Sequence, residues 1–244
     1  MSEPLYPNES AAYRKAREAL LKDEQALVAK VKEVAEKRRK LPLGGALKED
    51  YVFEWARLRQ GYAGQASGEV GSRVKFSELF GDKDTLILYS WMFGPNWDKP
   101  CMSCTSLMDG FDRTSYSVSR DAAFVAISKA PAKKINDWAK GRGWSQIPLV
   151  SGFSSPFQAD YKCQDPDNDD MQQPVMLVFV KRDGAIFHFW STELEGNHVD
   201  TVWPYWNLFD FTPEGRPDRD TPPQQFESRF LVEHYMEGQS ARVE

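Results

Sequence analysis

Residues 85–93, TLILYSWMF, and 122–130, AAFVAISKA, are apolar almost without interruption. A strand wetted on one face alternates apolar and polar side chains, whereas runs like these suit strands covered on both faces. Between them a helical pattern sets Cys104, Leu107, Met108 and Phe111 on one face. Pro131 opens a second helix that runs to about Lys140. Strand, helix, strand, helix in that order implies parallel strands joined by right-handed crossovers. Downstream, VMLVFVKRDGAIFHFW (175–190) is a pair of apolar runs around Asp183-Gly184, which predicts a β-hairpin.

The flanks are organised differently. Residues 10–41 predict one long helix, with Tyr13, Leu20, Leu27, Val34 and Leu41 recurring every seven positions. Asn8 or Ser10 can cap it, and Pro42 with Gly44-Gly45 ends it. Its apolar stripe is narrow, which suits docking on the main domain or pairing with a copy of itself. The basic run Lys37-Arg38-Arg39-Lys40 reads as a solvated helix end. Next come a strand at Tyr51–Trp55, a glycine-rich stretch from Gly61 to Gly71, an extended piece at Arg73–Phe76, and a short helix or turn in SELFGDKD. Residues 212–224 hold four prolines among charges and predict an extended segment, followed by a short helix around Phe226–Met236.

Composition narrows the functions. The chain has 244 residues, 41% hydrophobic, with eight Trp, nine Tyr and fifteen Phe, enough for one sizeable core. Its 31 basic and 36 acidic residues give a net charge of −5, without the asymmetry of a nucleic-acid groove. The start, MSEPLYPNES, lacks the basic and apolar regions of a secretory leader, and no stretch approaches the roughly 18 apolar residues of a membrane span. Three cysteines are too few and too odd for a disulfide scaffold. A cytoplasmic location is expected, where C-x-x-C marks redox or metal chemistry rather than a staple.

NWDKPCMSCTS (96–106) carries that motif. The strand 85–93 delivers the chain to the carboxyl edge of the sheet, where open α/β sheets place their sites. Pro100 suits the first helical position, which would put Cys101 in the first turn. Unpaired N–H groups there favour a thiolate and lower its pKa. Spacing of three sets both sulfurs on one side of the helix, close enough for a disulfide. Cys104 shares the apolar face and should be the more buried. Cys101 is therefore the expected nucleophile and Cys104 the resolving thiol.

The stretch LILYSWMFGPNWDKPCMSCTSLMDGFD resembles a bacterial thioredoxin-like family of unknown function, usually labelled predicted dithiol-disulfide oxidoreductases. RRKLP, DYVFE, VAISKAP (125–131), RGW (142–144) and LFDFTPEGR (208–216) extend the similarity over about residues 10–216. The resemblance implies a thioredoxin-like fold near the peroxiredoxin and thiol-reductase branch. By it, Pro174 takes the place of a cis-proline facing the dithiol; taken alone, Pro174 is an ordinary trans proline at a strand start. Two departures matter. Peroxiredoxins carry Thr or Ser three residues before the attacking cysteine, where this chain has Asp98, a carboxylate that would oppose a thiolate unless Lys99 offsets it. Met102-Ser103 replaces the Gly-Pro of thioredoxins, so their reduction potential does not transfer.

Other residues invite chemistry less strongly. A zinc knuckle needs four ligands, and Cys163, His188, His198 and His234 do not supply a second spaced pair, so no metal or cofactor is expected. Cys163 reads as a small buried hydrophobe or a second resolving thiol. DPDNDD (165–170) alternates oxygens like a calcium loop but lacks its glycine and closing Glu, which leaves a solvated loop. His188 sits in an apolar strand and reads as a core or edge histidine; Ser191-Thr192 matches a pair in the family. Trp91 and Trp97 suit either an aromatic rim or the core.

The expectation is an α/β protein: an N-terminal helical arm (8–45), a thioredoxin-like domain with a central mixed sheet and flanking helices (46–211), and an irregular C-terminal extension (212–244). Its expected activity is thiol–disulfide exchange through Cys101 and Cys104, supported by Trp97, Pro100 and Pro174. The alternatives are a thiol peroxidase and a redox-inert binding or assembly scaffold. The expected partners are a disulfide-containing protein or small molecule and an electron donor, with a homodimer through the arm as a further possibility.

Overall fold

A computed structural model describes residues 5–58, 69–192 and 201–216. They divide into two units at Leu43/Gly44. In the first, α1 (Ala11–Arg39) starts where the Ser10 hydroxyl oxygen accepts the Tyr13 N–H at 3.1 Å. Lys30, Glu33 and Lys37 form a ladder of ion pairs one turn apart, and Arg17 meets Glu24 at 2.8 Å. The basic last turn, Lys37 to Arg39, complements the helix dipole, and Pro42 lies just beyond.

The second unit is built on one sheet of seven strands in the order β2-β1-β5-β4-β3-β6-β7. These are β1 (Val52–Arg57), β2 (Arg73–Lys75), β3 (Thr85–Ser90), β4 (Ala123–Ser128), β5 (Leu149–Ser151), β6 (Val175–Arg182) and β7 (Ala185–Ser191). β3, β4 and β5 run parallel; β6 joins β3 antiparallel, β7 joins β6, and β1 and β2 extend the far edge antiparallel. The crossovers are α2 (Met102–Val118) and α3 (Ala132–Arg142), and α4 (Phe157–Asp160) follows β5. A 3-10 turn, Phe76–Phe80, follows β2. The unit β3-α2-β4, with an antiparallel β6–β7 hairpin on the other side of β3, is the thioredoxin-like arrangement.

The apolar runs behave as their pattern requires. Along β3, Leu86 and Leu88 enter a core layer with Val125, Ile127, Leu177 and Phe179. Tyr89 and Ile87 face the other layer, with Leu107, Met108, Phe111, Phe124 and Ala126. The sheet thus separates two cores, each closed by aromatic rings packed edge to face, such as Phe76 on Phe179 and Tyr89 on Phe111. The hairpin turns at Asp183 (φ 51°) and Gly184 (φ 78°), the positive angles of a type I′ turn.

Several boundaries differ from expectation. β3 ends at Ser90, because from Trp91 the chain leaves the ladder on both sides; only the Trp91 N–H still reaches Ile127 O, at 3.0 Å. Pro100 lies two places before the first residue of α2, with Cys101 as the N-cap between. The peptide bond before Pro174 is trans, as no cis bond occurs among the described residues, so Pro174 stands just before β6 as an ordinary strand-entry proline. Three elements were not expected: the three-residue β5, the single turn α4, and α5 (Pro204–Phe209). Of the glycine-rich stretch only residues 69–71 are among those described; residues 217–244, with the expected helix at Phe226–Met236, lie outside the described residues.

Candidate active site

Cys101 stands at the N-cap of α2 with extended backbone (φ −57°, ψ 125°), and its carbonyl accepts the Thr105 N–H at 2.9 Å. The helix pattern then carries Cys104 inward. Cys104 is 4% exposed, between Tyr89 and Leu107, while Cys101 is half-buried. Both are free thiols. One residue of the incoming strand holds the pair. The Met92 carbonyl accepts the Cys101 N–H at 2.9 Å, and the Met92 N–H is directed at the Cys104 sulfur.

The two sulfurs are electrostatically unequal. The Cys104 thiol donates to the Cys101 sulfur, and the backbone N–H groups of Cys104 and Ser103 and the Ser103 hydroxyl add to it. Together they outweigh burial and bring the Cys101 pKa down to about 6. The same bond, with full burial, drives the Cys104 pKa well up. The Tyr89 hydroxyl, itself kept protonated by burial, donates to the Cys104 sulfur and offsets part of that rise. Cys101 is thus a thiolate near neutrality, with a protonated thiol held against it. Asp98, expected to oppose the thiolate, is exposed, and the Cys101 thiol is acidic despite it.

The approach to Cys101 is braced from the other side of the site. Trp97 is half-buried; its indole N–H donates to Asp170 O at 3.1 Å, and its carbonyl accepts from Lys134. Asp170 also takes the Asn96 side-chain amide at 2.7 Å. A Cβ on Gly94 would lie 2.5 Å from the Trp97 indole nitrogen, so only glycine admits this packing. DPDNDD is accordingly a self-capped loop: Asp165 accepts the Asp167 N–H and Asn168 the Asp170 N–H, leaving Asp170 to anchor Trp97. Trp91 is wholly buried against Phe93 and Trp144 and belongs to the core, not a rim. Pro100 is buried beside Cys101, and Pro174, half-buried, precedes the Val175 that pairs with Ser90. Thr192 closes the same edge, its hydroxyl accepting the Met176 N–H at 2.9 Å.

Cys163 is not part of this constellation. It lies in the core layer on the opposite face of the sheet, and burial pushes its pKa up to about 12. His188 packs on Phe179 and Tyr161, with centroids 5.4 and 6.1 Å away. His198 and His234 lie outside the described residues. Among the described residues no group of three or more His, Cys, Asp or Glu side chains is placed to hold a metal ion, and no helix is long and apolar enough to cross a membrane.

Sequence reasoning missed Tyr89 and Ser103. Ser103 lay within the motif and could have been found as a donor in an open first turn. Tyr89 carried a weaker signal: a polar-tipped ring in an otherwise aliphatic run needs a buried partner. Replacing Tyr89 with Phe removes one donor from Cys104, so alkylation of Cys104 should slow roughly tenfold, the worth of one buried hydrogen bond. Alkylation of Cys101 should keep its wild-type rate; rapid quench with mass spectrometry separates the two.

Fold and cysteine pair together define a thioredoxin-like protein with a dithiol at the start of its first crossover helix. The chain belongs to the family described as "Bacterial protein of unknown function (DUF899)", which it matches over residues 4–235. No curated protein matches it. Among solved structures it is similar to peroxidoxin BcpB from Mycobacterium tuberculosis, at 18% identity over 67% of this chain and 95% of that one, with a TM-score of 0.46. AhpC from the same organism is 12% identical over 71% and 97%, TM-score 0.46. AhpC from Enterococcus faecalis is 11% identical over 79% and 95%, TM-score 0.45.

Proposed function

We propose that the chain is a thiol–disulfide oxidoreductase in which Cys101 attacks and Cys104 resolves. The observation that carries this reading is the unequal pair, an acidic half-exposed thiol receiving the hydrogen bond of a buried one. Attack by the Cys101 thiolate on a substrate disulfide gives a mixed disulfide and releases one thiolate. Cys104 then loses its proton, attacks the Cys101 sulfur and frees the second thiol. The pair ends oxidised and the substrate reduced by two electrons; an external dithiol donor returns the pair to its starting state.

Thiol peroxidase is the second reading, favoured by the acidity of Cys101 alone. Peroxide reduction needs donors aimed at a developing oxyanion beside the thiolate. Ser103 is the hydroxyl on that sulfur, whereas the position expected to carry one holds the exposed Asp98. The expected result is reduction of a disulfide by the pre-reduced protein with slow consumption of hydrogen peroxide, both followed in single turnover. Fast peroxide consumption without disulfide exchange reverses the ranking. Inactivity in both assays favours a redox-inert scaffold.

A further inference from the structure

α2 leaves a cleft of about 430 Å³ on the side turned toward α5. It begins at Met102 and Ser103, the two residues between the cysteines, and is walled by Trp203 and Tyr205 from the α5 segment. The Trp203 indole N–H donates to Ser106 Oγ at 3.3 Å, which fixes that wall to α2. Gly110 lets the α5 segment close against α2, since a Cβ there would meet Pro204 Cγ at 3.2 Å. The volume falls in the range of small-molecule sites, ~300–1,000 Å³, and is too small for a folded protein surface. Its charged lining cancels internally: Arg142 is paired with Asp109, which also accepts the Trp144 indole N–H at 2.7 Å.

Ser103 connects this cleft to the chemistry, because it lines the cleft and its hydroxyl supports the Cys101 thiolate. We propose that the cleft binds the body of an uncharged low-molecular-weight disulfide with aromatic or bulky apolar arms, and so selects the substrate class of the dithiol. Aromatic walls supply stacking area, the spent ion pair offers no free charge to an ionic ligand, and a disulfide beside Ser103 is beside the attacking sulfur. Exchange follows the two steps above, with each arm leaving as its thiol. The inference rests on the dithiol reading.

The test uses the full-length, pre-reduced protein in single turnover with dipyridyl disulfide, which is uncharged and aromatic, and with hydroxyethyl disulfide, which is compact and polar. Tyr205→Ala removes a wall, and loss of an aromatic contact of about 1.5 kcal/mol should weaken half-saturation by dipyridyl disulfide roughly tenfold; Gly110→Leu, whose side chain presses on Pro204 and shifts the same wall, should weaken it as well. The rate with hydroxyethyl disulfide should change less than about twofold, which also shows that both variants are folded and the cysteines intact. Binding of dibenzyl sulfide, which has no S–S bond to attack, is measured in parallel by calorimetry and should weaken in the same variants. Equal effects on both disulfides, or none on either, overturn the cleft while leaving the dithiol reading standing. No reduction of any disulfide by the wild type overturns the dithiol reading, and the substrate assignment with it.

Discussion

Pre-reduced Cys104→Ser protein given a disulfide substrate should accumulate a mixed disulfide on Cys101, while Cys101→Ser should neither react nor trap anything. The difference follows from burial and charge. Cys101 is half-exposed with its pKa lowered to about 6, so it is mostly thiolate at neutral pH; Cys104 is buried and held protonated. The loss in Cys101→Ser should exceed about a thousandfold, since no other thiol can replace it. Alkylation of Cys101 by iodoacetamide should rise through about pH 6 and level off above about pH 7, well below the usual cysteine midpoint near 8.5. The same shift enters stability with a defined sign. An acid whose folded pKa is depressed contributes stability that is fully present above its unfolded pKa, and it fades as pH falls through about 6. Tandem mass spectrometry of the trapped adduct decides the assignment; an adduct on Cys104 in a Cys101→Ser background would reverse the two roles.

Asp112→Ala should be strongly destabilising although it touches neither cysteine. Asp112 lies in α2, 2% exposed, and one carboxylate oxygen accepts three successive backbone N–H groups: Ser145 and Gln146 at 2.8 Å and Ile147 at 3.1 Å. That oxygen ties the dithiol helix to the segment feeding β5. Removing it orphans three donors in a buried place and should cost about 3 kcal/mol, a fall in melting temperature on the order of 10 °C. Asn, which keeps an acceptor oxygen, should recover part of the loss. A melting curve unchanged by Asp112→Ala would mean that water replaces the carboxylate.

The sequence made the centre of the fold legible for a physical reason. Strands buried on both faces are written as continuous apolar runs, and β3 and β4 carry that mark, while the β6–β7 hairpin was legible from the Asp183-Gly184 turn between its two apolar runs. β5, by contrast, is three residues long, too short for any period to emerge, and α5 is a single turn and a half whose aromatic residues serve a wall rather than a face. The unequal burial and acidity of Cys101 and Cys104 were legible because a helix start imposes an electrostatic asymmetry on residues three apart. The supports from Tyr89 and Met92 were not, since they arrive from a neighbouring strand whose register no local pattern encodes. For Pro174 the ordinary trans reading holds and the cis one implied by the resemblance does not: its place before β6 was legible, while the isomer of its peptide bond is set by packing.

The third cysteine makes the protein its own tamper seal. Cys163 is separated from Cys101 and Cys104 by the thickness of the sheet, fully covered, and too weakly acidic to react while the core is shut. Any reagent that reaches it has passed through an opened sheet, so its labelling clocks the opening of the fold independently of whatever chemistry is running at Cys101. One molecule therefore carries two thiol signals that do not interfere, one for turnover and one for integrity.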